Sequence, residues 1–328
     1  MPSSMTHTYF GLDVYECLNE KCQNKIKNSM EYFKLFCQGS DPFMFYHFLI
    51  GNKAKRMAKI QKAMHNSCTQ DFFLATINYI HMNKLVNNGD VMSYLYGYIC
   101  HYCLDLMTHP YIYYKGGVYK RENKSSYKYN GIHQEIEYGI DCYLISKKTG
   151  IKPSKFKVYK EIFDVRDFSY ELKGIIDNTV GKVYKVAKAS DIYRKSIWYM
   201  VNFFRLANYD PYGIKLAIYK LIDMVTPSSV INIKELSFSY RVKDINRYLN
   251  IDNKVWYCPW DKSKKYNSSF FELYELAKKM SIGLIEEVSD MLERDCFSDK
   301  RLRVLFNNLS FATGISCDEE VQLKYFEF

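Results

Sequence analysis

Residues 97–114 read GYICHYCLDLMTHPYIYY, and within them His101, Asp105 and His109 follow at intervals of four. On an α-helix each such step turns a side chain by about 40° and advances it by about 6 Å. The three groups therefore share one stripe of one helix. The residues between them (Tyr102, Cys103, Leu104, Leu106, Met107) are mostly apolar, so the helix is expected to be buried around most of its circumference. Imidazoles and a carboxylate on such a helix are costly unless something satisfies them. Zinc does so, since His and Asp are both suitable ligands. A lone histidine here would be read as a satisfied core or helix-end residue; three aligned groups point to metal.

His101 and His109 are about 12 Å apart along the helix axis, too far to share one ion at Zn–N distances of about 2.0–2.1 Å. Asp105 lies midway and has two oxygens. The spacing predicts a cluster, with one ion near His101, another near His109, and Asp105 serving one or bridging. Multinuclear zinc sites of this kind hydrolyse phosphate esters by clamping the attacking and leaving oxygens.

A second helix, GIHQEIEYGIDCYLISKKTG, repeats the pattern: His133 and Glu137 are four apart, Asp141 falls one turn further on, and Glu135 points elsewhere. His133 and Glu137 suit one divalent ion, with His109 from the neighbouring helix as a third ligand. Taken alone, the pair also reads as a helical surface charge pair.

At 328 residues with 48% apolar content the chain can bury a large core. Only 15 Gly and 7 Pro argue for helices over a turn-rich β chain. The net charge of +10 leaves room for an anionic partner such as a phosphate ester, nucleic acid or membrane surface. MPSSMTHTYF lacks the pattern of a secretory signal, and no apolar run is long enough to span a membrane. A cytoplasmic protein with reduced thiols and no transmembrane segment is expected. Cys100 and Cys103 flank His101, but no second pair completes a structural zinc site; they read as small buried hydrophobes.

Apolar periodicity predicts one helix or two short ones over 11–38, ended by Gly39-Ser40. Asp41-Pro42 opens the next element, with Ser40 or Asp41 as N-cap and Pro42 as the first helical residue. The stretch NKAKRMAKIQKAMHNS reads as a basic linker carrying His65. A helix over 67–87, capped by Ser67 or Thr69, precedes the central helix at 91–109, which Pro110 is expected to close. A Lys- and Tyr-rich loop covers 115–130, and Gly150 ends the helix bearing His133. Helical segments follow at 168–189, 191–208 and 212–225, with no histidine after His133. Residues 256–260, WYCPW, precede a polar loop and the Ser-capped amphipathic helix SSFFELYELAKKMSIGLIEEV; Trp256 and Trp260 are expected to pack rather than anchor at a membrane. LSFATG and VQLKYFEF read as a loop and an extended tail. The expected architecture is all-α, a single domain over 1–328 with a ligand-bearing core (1–155) and a ligand-free helical part (156–328).

The ordered set THTYFG, GSDP, MH, HxxxDxxxHP and HxxxE, spanning residues 5–137, resembles the zinc-dependent phospholipase C family, and more distantly the single-strand-specific zinc nucleases. Within the family the likeness is to cytoplasmic-looking bacterial members, and SFFELYELA resembles its C-terminal part. The resemblance implies a multi-helix fold with a metal cluster between helices and two or three Zn²⁺ ions. One zinc would be held by Asp41, His65, His101 and Asp105, a second by His7 and a shared Asp105 oxygen, and a third by His109, His133 and Glu137. Asp41 would be the general base. His47 and His81 are left without a role, although His47 lies near enough to Asp41 in sequence to reach substrate.

Two departures stand out. Secreted members use a processed N-terminal tryptophan as a zinc ligand, whereas this sequence begins Met-Pro-Ser. They also place more residues between the aspartate and the second histidine of the central helix; the spacing here is more like the glycosylphosphatidylinositol-specific phospholipase D branch. The resemblance therefore implies phosphodiester hydrolysis more strongly than a C-type bond. The expected function is a zinc-dependent phosphodiesterase, phospholipase C-like, with phospholipid as a candidate substrate. Single-strand nuclease action with the same cluster is the alternative, and a non-catalytic metal-binding helical protein is a third reading. Di-iron carboxylate bundles pair Glu and His at a spacing of three, which does not match.

Overall fold

The computed structural model describes residues 4–227, 232–294 and 298–327. Among these the chain is 68% helical, with 14 α-helices and one two-stranded sheet. The expected all-α class holds.

Helix α1 (Ser4–Cys17) is followed by α2 (Glu20–Ile26) and α3 (Met30–Phe36). The predicted 11–38 element is thus broken in two places and starts earlier. Asn19 restarts the chain as N-cap of α2, accepting from Cys22 N at 3.0 Å. The early start of α1 escaped periodicity because residues 4–11 are buried on every face. Its terminal donors find a distant partner: Asp141 accepts from Thr6 N and Thr6 Oγ1, both at 2.7 Å, and from Met5 N at 3.2 Å.

A 3₁₀ segment, Asp41–Leu49, carries Pro42 in its first turn as expected. The supposed basic linker is helix α4 (Gly51–Asn66). Its buried residues Ala54, Met57, Met64 and His65 make one narrow face, which the surrounding lysines obscure in the sequence. Helix α5 (Thr69–Met82) starts after Cys68 in a left-handed conformation, without the predicted cap. Ser67 Oγ instead donates back to Ala63 O, and Thr69 Oγ1 donates to Leu309 O.

Helix α6 (Gly89–Gly116) is the centre of the molecule, buried at every position from Val91 to Leu106. It packs on α1 and α3; at Gly97 an added Cβ would lie 2.6 Å from the Phe36 carbonyl carbon. Pro110 does not close it, contrary to expectation. A proline removes one helix bond, to the carbonyl of residue 106, and here the loop at Gly314 packs beside that carbonyl.

Helix α7 (Ile132–Thr149) ends at a left-handed Gly150 as expected. Short helices α8 (Val158–Glu161) and α9 (Tyr170–Ile176) lead to α10 (Ala189–Phe203), α11 (Ile214–Val225) and α12 (Ile245–Leu249). WYCPW is not followed by a loop: β1 (Trp256–Cys258) pairs antiparallel with β2 (Asp261–Tyr266). Trp256 is buried and donates to Ser268 O, while Trp260 is half-buried. Helix α13 (Phe270–Glu293) has the expected Ser cap, a reciprocal Ser269–Glu272 capping box, and packs on α6. After α14 (Asp299–Leu305) the tail runs back, bonding Lys324 N to Pro259 O and Glu327 N to Tyr114 O. One hydrophobic core includes residues from Met5 to Phe311. No helix among the described residues is long and apolar enough to cross a membrane.

Candidate metal centre

All eight predicted ligands meet. His7 comes from α1, Asp41 from the start of the 3₁₀ segment and His65 from the last turn of α4. His101, Asp105 and His109 come from one stripe of α6, and His133 and Glu137 from α7. Asp105 is the hub. Its Oδ1 lies 3.3 Å from His7 Nε2 and 3.7 Å from His109 Nε2; its Oδ2 lies 3.2 Å from His65 Nε2 and 3.4 Å from His101 Nε2. Asp41 Oδ1 is 3.5 Å from His65 Nε2. Further along, Glu137 Oε1 is 3.0 Å from His133 Nε2 and 4.0 Å from His109 Nε2.

Among the described residues, three groups have ligand atoms within 4.8 Å of one another: His7, His101 and Asp105; Asp41, His65 and His101; and His109, His133 and Glu137. The donor set suits zinc, and the outer partners orient it. His65 Nδ1 is 3.0 Å from the Gln61 carbonyl and 3.1 Å from Ser40 Oγ, and His109 Nδ1 is 2.9 Å from the Phe311 carbonyl. A proton on each Nδ1, donated to those carbonyls, leaves Nε2 free to ligate. The His101 ring lies against Gly39, whose backbone has φ +53°; an added Cβ there would be 2.3 Å from the ring. Tyr193 Oη pins the same residue by donating to Gly39 O at 2.7 Å.

The electrostatics are set by burial and by the mutual pull of imidazoles and carboxylates. Burial would raise the Asp105 carboxyl, but His109, His101, His7 and His65 together hold it well below the usual range. Glu137 is pushed down to about 2, burial being overridden chiefly by His133. Asp41 goes the other way, up to about 6: burial dominates, and Asp105 adds to it against the pull of His65. Burial lowers His101 and His109, whereas in His7 and His65 the effect of burial is outweighed by the neighbouring carboxylates and the imidazoles are raised.

The cluster opens into a cleft of about 670 Å³. Its lining includes groups that sequence reasoning missed: Gln61, Lys62, Tyr113, Lys120, Thr313 and Gln322. Gln61 donates to Asp41 Oδ1 at 2.9 Å, and Asp41 lines the cleft; the N-cap position belongs to Ser40, which makes no side-chain cap bond. The position of Gln61 one turn before His65 was the available signal, hidden by reading that stretch as linker. Thr313, Gln322 and the Phe311 carbonyl had no local signal, and through them the C-terminal part, though free of predicted ligands, closes the site. His47 stacks on Tyr199 at 5.3 Å and does not line the cleft; His81 is also outside it. Glu135 does point elsewhere, accepting from Tyr248 Oη at 3.1 Å. Cys100 and Cys103 are buried and belong to no ligand group among the described residues.

A family model described as zinc dependent phospholipase C matches residues 6–189. That is more than half of the chain, and the chain belongs to this family. No curated protein and no solved structure matches it.

Proposed function

We propose that this member of the zinc-dependent phospholipase C family hydrolyses a phosphodiester, using two or three zinc ions held by the eight converging side chains. The observation that carries the reading is Asp105, whose two oxygens each face two imidazole Nε2 atoms, an arrangement suited to bridging a close metal pair. Asp41, His65, His101 and Asp105 would hold one ion, His7 and the other Asp105 oxygen a second, and His109, His133 and Glu137 a third. Zinc at such a site supplies Lewis-acid stabilisation of phosphoryl charge and a water acidic enough to attack at neutral pH.

The chain's own residues do the rest. Asp41, oriented by Gln61, accepts the proton of the attacking water as general base. Lys62 and Lys120 line the cleft and are the cations available to hold the substrate's phosphate. Family membership favours a phospholipid as substrate over nucleic acid.

The test is metal content by plasma mass spectrometry on tag-free protein, with turnover of phosphatidylcholine and single-stranded DNA by the zinc-loaded form. Two or three zinc ions and lipid turnover support the proposal. Turnover of DNA alone would replace it with the nuclease reading, and zinc-loaded protein inert on every phosphodiester offered would leave a non-catalytic metal protein.

A further inference from the structure

Helix α11 carries apolar side chains on its outward face. No residue of Ile214–Val225 is buried, although it is among the most apolar helices of the chain. Ile214, Ile218, Leu221 and Val225 recur at intervals of four, three and four, so they form one stripe. That stripe faces out, with exposures of 63%, 49%, 58% and 78%. Leu206 and Tyr212, just before the helix, are exposed as well, at 63% and 87%. A continuous apolar surface of this kind on a folded chain marks a contact site.

The helix is firmly attached on its other side. Tyr219 Oη donates to Ala207 O at 3.2 Å, and Asp223 accepts from Ile233 N and Lys234 N at 2.9 and 3.0 Å. Asp210 is buried and bonded to Lys215 N, Leu216 N and Ser237 Oγ. The nearby acids are thus turned inward and bonded. Lys215 also anchors the helix, its ammonium donating to Tyr209 O at 2.6 Å and Arg205 O at 3.2 Å, while Lys220 is exposed on the flank of the apolar stripe. An apolar stripe edged by the exposed Lys220, with no acid on that face, complements an anionic lipid surface. A second copy of the same face would bring like charges together.

We infer that the outward face of α11 docks the protein onto anionic lipid bilayers, its apolar side chains entering the headgroup boundary. The inference takes from the proposed phosphodiesterase reading only that the substrate resides in such a surface. The Asp41-bearing segment is coupled to this end of the molecule, since Phe45 packs on Phe203 and Phe204 at the end of α10.

The experiment is co-sedimentation of the full-length, zinc-loaded chain with vesicles of phosphatidylcholine and phosphatidylglycerol, comparing wild type with Ile218→Glu/Leu221→Glu. Both side chains point to solvent, so helicity and zinc content should be unchanged. Partitioning should fall by about tenfold or more in the variant. A Leu221→Trp variant, which keeps the face apolar, should show a blue shift in emission when vesicles are added. Equal partitioning of wild type and double variant, no partitioning of either, or no emission shift would overturn the inference. So would a wild-type dimer that the double variant converts to monomer in light scattering, which would assign the face to self-association. Turnover of a water-soluble chromogenic phosphodiester separates the two readings: its absence with vesicle binding intact removes the hydrolase and leaves the docking face.

Discussion

His65 and His101 face each other Nε2 to Nε2 at 3.4 Å, from different helices and 36 residues apart in the chain. Two buried imidazole nitrogens aimed at one point beside Asp41 and Asp105 make sense when a cation occupies that point. The approach is enforced from outside: Gln61 and Ser40 fix the His65 ring, and Gly39 leaves room for the His101 ring. Four consequences can be measured.

Asp105→Asn removes the charge and one oxygen ligand from the hub. Zinc should fall by one or two ions per chain, with the His109, His133 and Glu137 group retaining its ion. Phosphodiester turnover should drop by about 10³-fold or more, a size typical of lost electrostatic stabilisation, with helicity preserved. Wild-type turnover in the variant would remove the proposed mechanism. His133→Ala is the complement, and mass spectrometry should show a single ion lost.

Zinc affinity should depend on pH through Asp41. Its carboxyl is raised from 3.8 to about 6, chiefly by burial. The folded metal-free protein therefore holds this proton more tightly than the unfolded chain. Asp41 ionised opposes folding above about pH 6, and that penalty is relieved as pH falls toward 3.8. Zinc needs the ionised form, so affinity should fall at least about tenfold per pH unit below about 6. Glu137, lowered to about 2, stays ionised across that range. Chelator competition between pH 7.5 and 5, compared with Asp41→Asn, should show a shallower slope in the variant; parallel slopes would refute the assignment.

Asp141 holds the start of α1, and with it His7. Asp141→Ala leaves Thr6 N, Thr6 Oγ1 and Met5 N to find other acceptors. The loss of these buried charge-assisted bonds should cost about 2–4 kcal/mol, seen as a fall of several degrees in Tm. Zinc should be lost first from the His7 site. An unchanged Tm would show that the cap contributes little.

Gly39→Ala tests the His101 cradle. The methyl group would overlap the imidazole at a positive φ, so either the ring moves or the turn does. Reduced zinc content together with a destabilisation of about 1–3 kcal/mol is expected. Full zinc content at wild-type stability would mean that the ring has freedom the packing denies it.

Local periodicity was enough to place His101, Asp105, His109, His133 and Glu137 on two helices, because a spacing of four is a property of one element. The helical class followed from the same kind of signal. Where burial leaves no polar face, as in residues 4–11 of α1, or where lysines crowd a narrow apolar face, as in α4, periodicity is weak, and the start of α1 and the whole of α4 were missed. The hairpin at WYCPW was missed as well.

The sequence by itself determined which side chains were fit to bind metal, since ligand chemistry belongs to residue type and helical spacing to local geometry. Only the tertiary structure decided that Asp105 would sit among four imidazoles and that Asp41 would face His65 and not cap a helix. It also decided that the Phe311 carbonyl, 202 residues from His109, would orient that ring. Those contacts depend on how α1, α4, α6, α7 and the C-terminal loop pack on one core. Packing is a sum over many distant, individually weak contacts, and no short stretch of the chain encodes it.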